Sequence, residues 1–268
     1  MKKTITLALL AFTTAALIFS SGCRRDEGET NTLKIGATAV PHAILLELIR
    51  DDLLERGIEL EIVVFTEFDT VNPALADGNL DANFFQHVLF LENWVRNSGR
   101  QIVSAGGIHI EPMGVYSNRH ASLNDLPQGA TVGIPADAMN AGRALALMEE
   151  LGLITLREGL APRVTVLDIV DNPLNLVIRE VASNLLPAAL PDLDLALINT
   201  NWALQAGLSP TNDTVAREGI YPYFVNVVAV RAGDETNENI QILMELLQSD
   251  KIREYILERW GGDVVPAF

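Results

Sequence analysis

Residues 33–65 read LKIGATAVPHAILLELIRDDLLERGIELEIVVF, and this stretch has the pattern of a β-α-β unit. Its apolar ends, 33–37 and 61–65, are typical of buried strands. The residues between them carry aliphatic side chains at helical spacing over 42–56: Leu45, Leu48, Ile49 and Leu53. Such a unit predicts two strands of one sheet joined by a helix that packs against that sheet.

The same alternation of apolar runs and amphipathic stretches continues to the C-terminus. It predicts further strands at 80–84, 101–105, 130–134, 164–167, 193–198 and 224–230. It predicts further helices at 72–77, 87–97, 140–151, 172–178, 201–206, 237–248 and 250–260. We therefore predict an α/β fold with two mainly parallel sheets flanked by helices. The extended run 108–116 indicates a crossover between two lobes, and a ligand is expected between them, at the carboxyl ends of the strands.

The first 22 residues predict a signal peptide. Two lysines precede a short apolar run at 5–19, and small residues then lead to Cys23, the only cysteine. This run is shorter than the roughly 20 residues of a spanning helix. A lone cysteine after Ser-Gly resembles a lipoprotein processing site, although Ser20 stands where leucine is usual, so we predict that Cys23 is lipidated. An ordinary signal peptide with an incidental cysteine is the alternative. We predict that the polar residues 23–32 form a flexible tether between the lipid anchor and the rest of the chain.

The chain is acidic, with a formal net charge of −16 at pH 7. Nucleic acid binding requires a basic face, so this class of function is excluded. The protein surface is also not expected to adhere to anionic lipid. A single cysteine allows no internal disulfide, so stability has to come from packing, which a hydrophobic content of 49% can supply.

Aromatic residues follow two neighbouring strands of the first predicted lobe. Phe68 comes after one strand, and Phe85, His87 and Phe90 are predicted in the loop and helix start after the next. Because carboxyl ends of neighbouring parallel strands lie together, these rings can form one pocket. Such a pocket suits a flexible apolar group, and a thioether in particular. The alternative is that they are core residues, which is the commoner place for phenylalanine.

A strand-to-helix turn precedes residues 140–143. Asn140 is a plausible N-cap there, and a helix N-terminus attracts a carboxylate. Arg143, one turn into the helix, can hold the same carboxylate through two parallel hydrogen bonds. The alternative is a capped helix that carries a solvated arginine.

Two asparagines lie at or in apolar strands, where an amide is costly unless it is hydrogen-bonded. Asn199 ends the strand at 193–198, and Asn226 lies inside the strand at 224–230. Their oxygens can accept from an ammonium group, or the amides can be satisfied by backbone. Asn201 is a weaker candidate. Together with the rings and Arg143, these residues predict an amino-acid receptor.

Six separate motifs, in this order, resemble the methionine-binding lipoprotein family of ABC importers. They are DANFFQH at 81–87, EPMGVYS at 111–117, the turn at 140–143, VLDIVDNPLNL at 166–176, LALINTNWA at 195–203 and VVPAF at 264–268. The resemblance implies a type II periplasmic-binding-protein fold, in which two α/β lobes joined by two crossovers close on the ligand. We place lobe I at 33–113 plus 222–268, and lobe II at 114–221.

The resemblance also implies roles for the candidate residues. Phe85 and His87 match positions of the aromatic pocket, Asn140 and Arg143 match the carboxylate site, and Asn199 and Asn226 match the amine site. Family members deliver methionine to a membrane permease that works with an ATPase. We expect an exported monomer of this kind, anchored by its lipid in the periplasm or at the outer face of the cell, with no cofactor.

Departures from the family pattern lie close to the predicted ligand. Phe68 and Phe90 stand where the family usually has tyrosine, which makes the slot more apolar. Ala136 and Ala138 stand where it usually has asparagine and proline. L-Methionine is the expected ligand, and D-methionine, a methionine-containing dipeptide or another apolar amino acid are the alternatives.

Functions of other classes find little support. The sequence has no Gly-x-Ser-x-Gly elbow and no phosphate-binding Gly-rich loop, so a hydrolase or a phosphotransferase is not expected. The four histidines, His42, His87, His109 and His120, are scattered and contain no close pair in sequence. A metal receptor that uses His42 and His87 from one cleft remains an alternative. So does an adhesion lipoprotein, which would bind no amino acid.

Overall fold

The structure is a computed structural model and describes residues 31–159 and 163–268. The predicted signal peptide, Cys23 and all but the last two residues of the predicted tether lie outside the described residues. Within the described ranges, none of the helices has the length and apolar character needed to cross a bilayer.

The strands form two large sheets and one small hairpin. The strands are β1 Thr32–Ala37, β2 Glu59–Val64, β3 Ala82–His87, β4 Ile102–Ile110, β5 Gly114–Tyr116, β6 Thr131–Pro135, β7 Thr155–Leu156, β8 Ile169–Asp171, β9 Val177–Val181, β10 Leu195–Ile198, β11 Thr214–Arg217, β12 Val225–Arg231 and β13 Val265–Pro266. The first sheet has the order β13-β4-β12-β3-β1-β2, and the second has the order β11-β5-β10-β6-β9. The hairpin pairs β7 with β8.

Helices cover both faces of the first sheet. The α-helices are α1 Ile44–Leu48, α2 Arg50–Glu55, α3 Val71–Ala76, α4 Val88–Ser98, α5 Ala138–Glu150, α6 Leu186–Ala189, α7 Thr200–Gln205, α8 Glu238–Leu247 and α9 Asp250–Trp260. Leu53 of α2 and Leu243 of α8 share one buried cluster with the sheet, while Leu75 of α3 and Leu91 of α4 belong to another. A separate cluster around Leu145 of α5 forms the core of the second sheet.

Two short crossovers join the sheets, and the predicted two-lobed α/β fold is confirmed. Residues 111–113 connect β4 to β5, and residues 218–224 connect β11 to β12. As predicted, the strand near 224–230 returns to the first sheet, where β12 lies between β3 and β4. These crossovers contain the lobe boundaries that we propose, near residues 113 and 222.

Both sheets are mixed, whereas the alternation in the sequence predicted mainly parallel pairing. β1 is parallel to β2 and β3, and β6 is parallel to β9 and β10. β12 is antiparallel to β3 and β4, and β5 is antiparallel to β10 and β11. The physical reason is that the chain crosses between the sheets twice. β5 and β12 each begin at the edge where the chain enters from the other sheet, and their neighbours end at that edge, so the pairing is antiparallel.

Two predicted helices differ from the observed elements. The helix expected at 172–178 is a turn followed by β9, because the side chain of Asn172 accepts from the backbone N–H of Leu176 and donates to its carbonyl oxygen. These bonds replace those that a helix would make. The helix expected at 42–56 is divided at Ile49, whose backbone is not helical. The strand expected at 164–167 lies slightly later, at β8.

Candidate functional site

All eight predicted ligand-binding residues line one cavity between the two sheets. They are Phe68, Phe85, His87, Phe90, Asn140, Arg143, Asn199 and Asn226, and the cavity is also lined by Gln86, Glu111, Thr200 and Asn201. Its volume is about 20 Å³, room for roughly one water molecule. A wider cleft of about 730 Å³ adjoins it at Phe68 and Phe90. The cavity is thus a narrow slot whose walls come from both sheets.

Three phenylalanine rings form one wall of the slot. Phe68, Phe85 and Phe90 have ring centroids 5.8–5.9 Å apart in each pairing. Trp202, which the sequence did not single out, extends this wall, with its ring 5.2 Å from that of Phe68. The arrangement offers an apolar, polarisable surface suited to an aliphatic or thioether side chain.

β3 is longer than predicted, and this changes the position of two site residues. Phe85 and His87 lie in the last part of β3, not in the loop after it. The pairing of β3 with β12 shifts register between Val227 and Val228, so an extra residue of β3 is accommodated at Phe85. A β-bulge of this kind redirects side chains, and periodicity in the sequence does not reveal it.

His87 serves as the N-cap of α4. Its Nδ1 accepts from the backbone N–H of Phe90 at 3.1 Å, so Nε2 carries the proton and donates to Oδ1 of Asn140 at 3.4 Å. Burial, followed by the nearby charge of Arg143, lowers the pKa of His87 to about 3. The imidazole is therefore neutral at pH 7 and acts as a ring wall with a fixed donor.

Asn140 is not the N-cap of α5, contrary to the prediction. Asp137 caps the helix and accepts from the backbone N–H of Asn140 at 2.9 Å and from its side-chain Nδ2 at 3.0 Å. Burial raises the pKa of Asp137. Oδ1 of Asn140 accepts from Nδ2 of Asn199 at 2.9 Å. Asn140 thus links α5 to β3 through His87 and to the end of β10 through Asn199.

Arg143 is almost fully buried, so the alternative of a solvated arginine is wrong. Its Nε and Nη2 donate to Glu218 at 2.9 and 2.5 Å, and Nη2 also donates to the backbone oxygen of Glu111 at 2.7 Å. The guanidinium lies 3.9 Å from the centre of the Phe224 ring. In the described part of the chain, Nη1 has no hydrogen-bond partner. Arg143 therefore lines the cavity and retains one nitrogen, Nη1, that no described residue occupies.

The two strand asparagines differ in how far they are satisfied. Oδ1 of Asn199 is buried and finds no partner among the described residues. Oδ1 of Asn226 accepts from Nε2 of His42 at 3.1 Å. Nδ2 of Asn201 is also buried without a partner there. Asn199 is thus the clearest free acceptor at the cavity, in line with the role expected for it.

A buried carboxylate behind the cavity was not predicted. Oε1 of Glu111 lies 2.7 Å from Nε2 of His109 and 3.3 Å from Nε2 of His42. Burial raises the pKa of Glu111 and lowers those of His42 and His109, to about 4 and about 3. Both imidazoles are neutral at pH 7, and Nδ1 of His42 accepts from the hydroxyl of Thr38 at 2.7 Å.

This cluster corrects the expectation about the histidines. His42 lies close to His109, with ring centres 5.0 Å apart, whereas His87 contacts Asn140 instead. The ligand atoms of His42, His109 and Glu111 lie within 4.8 Å of one another, so these residues could hold a metal ion. However, a metal-bound histidine usually donates from its other nitrogen, and Nδ1 of His109 has no partner in the described structure. The cluster fits a hydrogen-bonded unit better.

Two buried acidic residues were not predicted: Glu111, which lines the cavity, and Glu218, which pairs with Arg143. The signal for Glu111 was a carboxylate in an apolar extended run, which has to be paired or hydrogen-bonded if it is buried. Glu218 lies in a mixed polar segment 75 residues from Arg143 and carries no local signal. Only the path of the second crossover brings it to Arg143.

The family model described as NlpA lipoprotein matches residues 33–268. The methionine-binding lipoprotein MetQ of Bacillus subtilis is 37% identical over 99% of both chains. The D-methionine-binding lipoprotein MetQ of Salmonella typhi is 35% identical over 91% of this chain and 92% of that protein.

A solved structure shares the fold. It is a nutrient-binding protein from Burkholderia cenocepacia bound to methionine, which superposes with a TM-score of 0.86 at 39% identity and covers 88% of this chain and all of that one. The family match over residues 33–268 includes both sheets and every residue that lines the cavity. The chain therefore belongs to the NlpA lipoprotein family.

Proposed function

We propose that this protein is an extracytoplasmic receptor that binds methionine between its lobes and delivers it to an ABC importer. The observation that carries the proposal is the cavity itself, which combines a buried arginine, an unpaired amide oxygen and three packed rings. A zwitterionic amino acid with an apolar side chain needs these three features. The names of the relatives, and the methionine bound in the Burkholderia cenocepacia protein, support methionine within this class.

The charged ends of the ligand have distinct partners in this proposal. Nη1 of Arg143 takes the carboxylate through a charge-assisted hydrogen bond. Oδ1 of Asn199, with Asn226 beside it, accepts from the ammonium group. The buried side chain of Glu111 lines the same cavity, and its Oε1 lies 3.3 Å from Nε2 of His42, the histidine that contacts Asn226. The side chain then lies against Phe68, Phe85 and Phe90, where a thioether makes favourable sulfur–ring contacts.

Ligand entry requires the walls to separate, since the slot has room for about one water molecule. His87 and Phe90 lie in β3 and α4 of the first lobe. Asn140 and Arg143 lie in α5 of the second lobe. A hinge motion at the two crossovers would open the slot without disturbing either core. Because ligand contacts come from both lobes, ligand binding would favour the closed arrangement.

Membrane attachment and delivery follow from the same assignment. Relatives named lipoproteins support lipidation at Cys23, which would tether an otherwise water-exposed protein near a permease and its ATPase. Each buried methylene of an acyl chain contributes about 0.8 kcal/mol to anchoring. Mass spectrometry of the exported protein tests this point, because lipidation adds acyl mass to Cys23 and Cys23→Ser abolishes it. An unmodified cysteine in the mature protein would contradict it.

Calorimetry on the protein purified from an exporting host tests the ligand. We expect saturable, one-site heat with L-methionine, and weaker or no heat with alanine or lysine. Parallel titrations with D-methionine and a methionine-containing dipeptide rank the alternatives. Chelator treatment should leave methionine binding unchanged, whereas a metal receptor would lose its ligand. Absence of saturable heat with any amino acid would refute the proposal.

A further inference from the structure

We infer that Glu218 is a positioning residue for the ligand carboxylate. It holds the guanidinium of Arg143 so that Nη1 faces the cavity, and it ties this orientation to both crossovers. The inference rests on the proposed function, because it assigns how the charged end of a bound amino acid is recognised. Arg143 and Glu218 are 75 residues apart, and their side chains are 3% and 4% exposed.

The geometry of the pair fixes the guanidinium in its plane. Nε of Arg143 donates to Oε1 and Oε2 of Glu218 at 2.9 and 3.2 Å, and Nη2 donates to Oε2 at 2.5 Å. A two-pronged contact of this kind restrains rotation about the last torsion of the arginine. The ring of Phe224 lies 3.9 Å from the guanidinium carbon and restrains it from one face. Nη1 is the one guanidinium nitrogen that takes no part in these contacts.

The same contacts connect Arg143 to both crossovers. In the first crossover, the backbone oxygen of Glu111 accepts from Nη2 of Arg143 at 2.7 Å. The backbone N–H of Met113 donates to Oε2 of Glu218 at 3.0 Å, and the N–H of Glu218 donates to the oxygen of Met113, also at 3.0 Å. The carboxylate of Glu218 therefore bridges the helix that carries Arg143 and the two segments that must move when the lobes open.

A purely stabilising role explains the pair poorly. Burying two charges costs free energy that their attraction often does not recover, so an apolar pair would stabilise the core at least as well. A role of the Glu218 carboxylate in orienting Arg143 explains why the chain keeps a pair whose burial costs free energy. The same role explains why Arg143 lines the cavity although most of its N–H groups donate to protein atoms.

Two ligands that differ only at the carboxylate provide the test. L-Methionine and L-methioninamide share the ammonium group and the side chain, so the ratio of their dissociation constants reports the carboxylate contact. Calorimetry on the full mature protein compares the unchanged chain with Glu218→Gln and Phe224→Leu. Glu47→Gln is the matched control, because Glu47 also pairs with an arginine, Arg50, but on the exposed surface.

We expect the unchanged protein to prefer methionine. Glu218→Gln should weaken methionine binding by about tenfold or more and methioninamide binding by less than about threefold, so the ratio shrinks. Phe224→Leu should shrink it by a smaller factor, and Glu47→Gln should leave both affinities unchanged. Thermal unfolding shows whether each variant is folded. If Glu218→Gln does not fold, Phe224→Leu, which retains the ion pair, provides the test instead.

Equal weakening of both ligands in folded Glu218→Gln or Phe224→Leu would overturn the inference, since a merely structural role lowers both affinities alike. So would an unchanged protein that binds the two ligands equally. If the unchanged protein binds neither ligand, the proposed function itself fails, and the inference falls with it.

Discussion

Nε2 of His87 and Oδ1 of Asn140 lie 3.4 Å apart and join the last residue of β3 in the first sheet to the first turn of α5 beside the second. The same oxygen accepts from Asn199 at 2.9 Å. A single amide thus connects both sides of the slot, and its orientation is set by Asp137, which accepts from the amide nitrogen. Changes that release this amide should affect binding more than folding.

Asp137→Ala tests that relationship. Loss of the N-cap should destabilise the fold by about 1 kcal/mol, and the freed Asn140 side chain should weaken methionine binding as well. Asn237→Ala is the matched control, because Asn237 caps α8 away from the cavity. Urea unfolding and calorimetry measure the two effects. Equal methionine affinity in both variants would contradict the role of Asp137.

Arg143→Ala should weaken methionine binding by about 2–5 kcal/mol, because a ligand carboxylate in the slot would lose its charged donor. It should also lower the free energy of unfolding by about 3–5 kcal/mol, because Glu218 would be left buried without its partner. The double change Arg143→Met with Glu218→Leu should recover most of the stability but none of the binding. Methionine affinity that barely changes in Arg143→Ala would show that Arg143 does not hold the carboxylate.

Phe90→Tyr should change ligand preference more than stability. The Phe90 side chain is 9% exposed and contacts the other two rings of the wall, so a hydroxyl there adds a polar group next to the apolar end of the ligand. We expect the affinity ratio of methionine to leucine to shift while the melting temperature moves by only about 2–4 °C. Identical ratios before and after the change would count against Phe90 as a ligand contact.

Acid should destabilise the fold through the buried histidines. Burial depresses the pKa of His42 to about 4 and that of His109 to about 3, so below their unfolded value of 6.5 the unfolded chain binds more protons than the folded one. The stability from neutral imidazoles is complete above about pH 6.5 and declines as the pH falls toward the folded values. For His42 the loss at pH 5 is about 2 kcal/mol.

Urea unfolding at pH 7 and pH 5 measures this dependence. His42→Gln should reduce the difference in unfolding free energy between the two pH values. Glu111 acts in the opposite direction, since burial raises its pKa above 4.5: its contribution to stability is complete below that pH and declines as the pH rises. A pH dependence that is unchanged in His42→Gln would show that this histidine does not titrate as described.

The sequence supported prediction of most of the strand-helix order and of eight of the twelve residues that line the slot. Phe85, His87 and Phe90 were predictable because strand ends in an α/β sheet lie together, and Asn199 because an amide that ends an apolar strand requires a partner. The bulge at Phe85, the cap at Asp137 and the loop at Asn172 were not predictable. Each depends on local hydrogen bonds whose formation the sequence pattern does not distinguish from those of a regular helix or strand.

By its sequence alone, the chain determined its class: an acidic α/β protein whose periodic apolar runs build two sheets and place polar residues at strand ends. Only the tertiary structure decided which groups meet. The pairing of Arg143 with Glu218, and of Glu111 with His42, joins residues from distant segments. No periodicity in a sequence encodes such contacts, because they arise where two crossovers bring the two sheets together. Because these groups are buried between the two sheets, the protonation state of each is set by the groups that contact it.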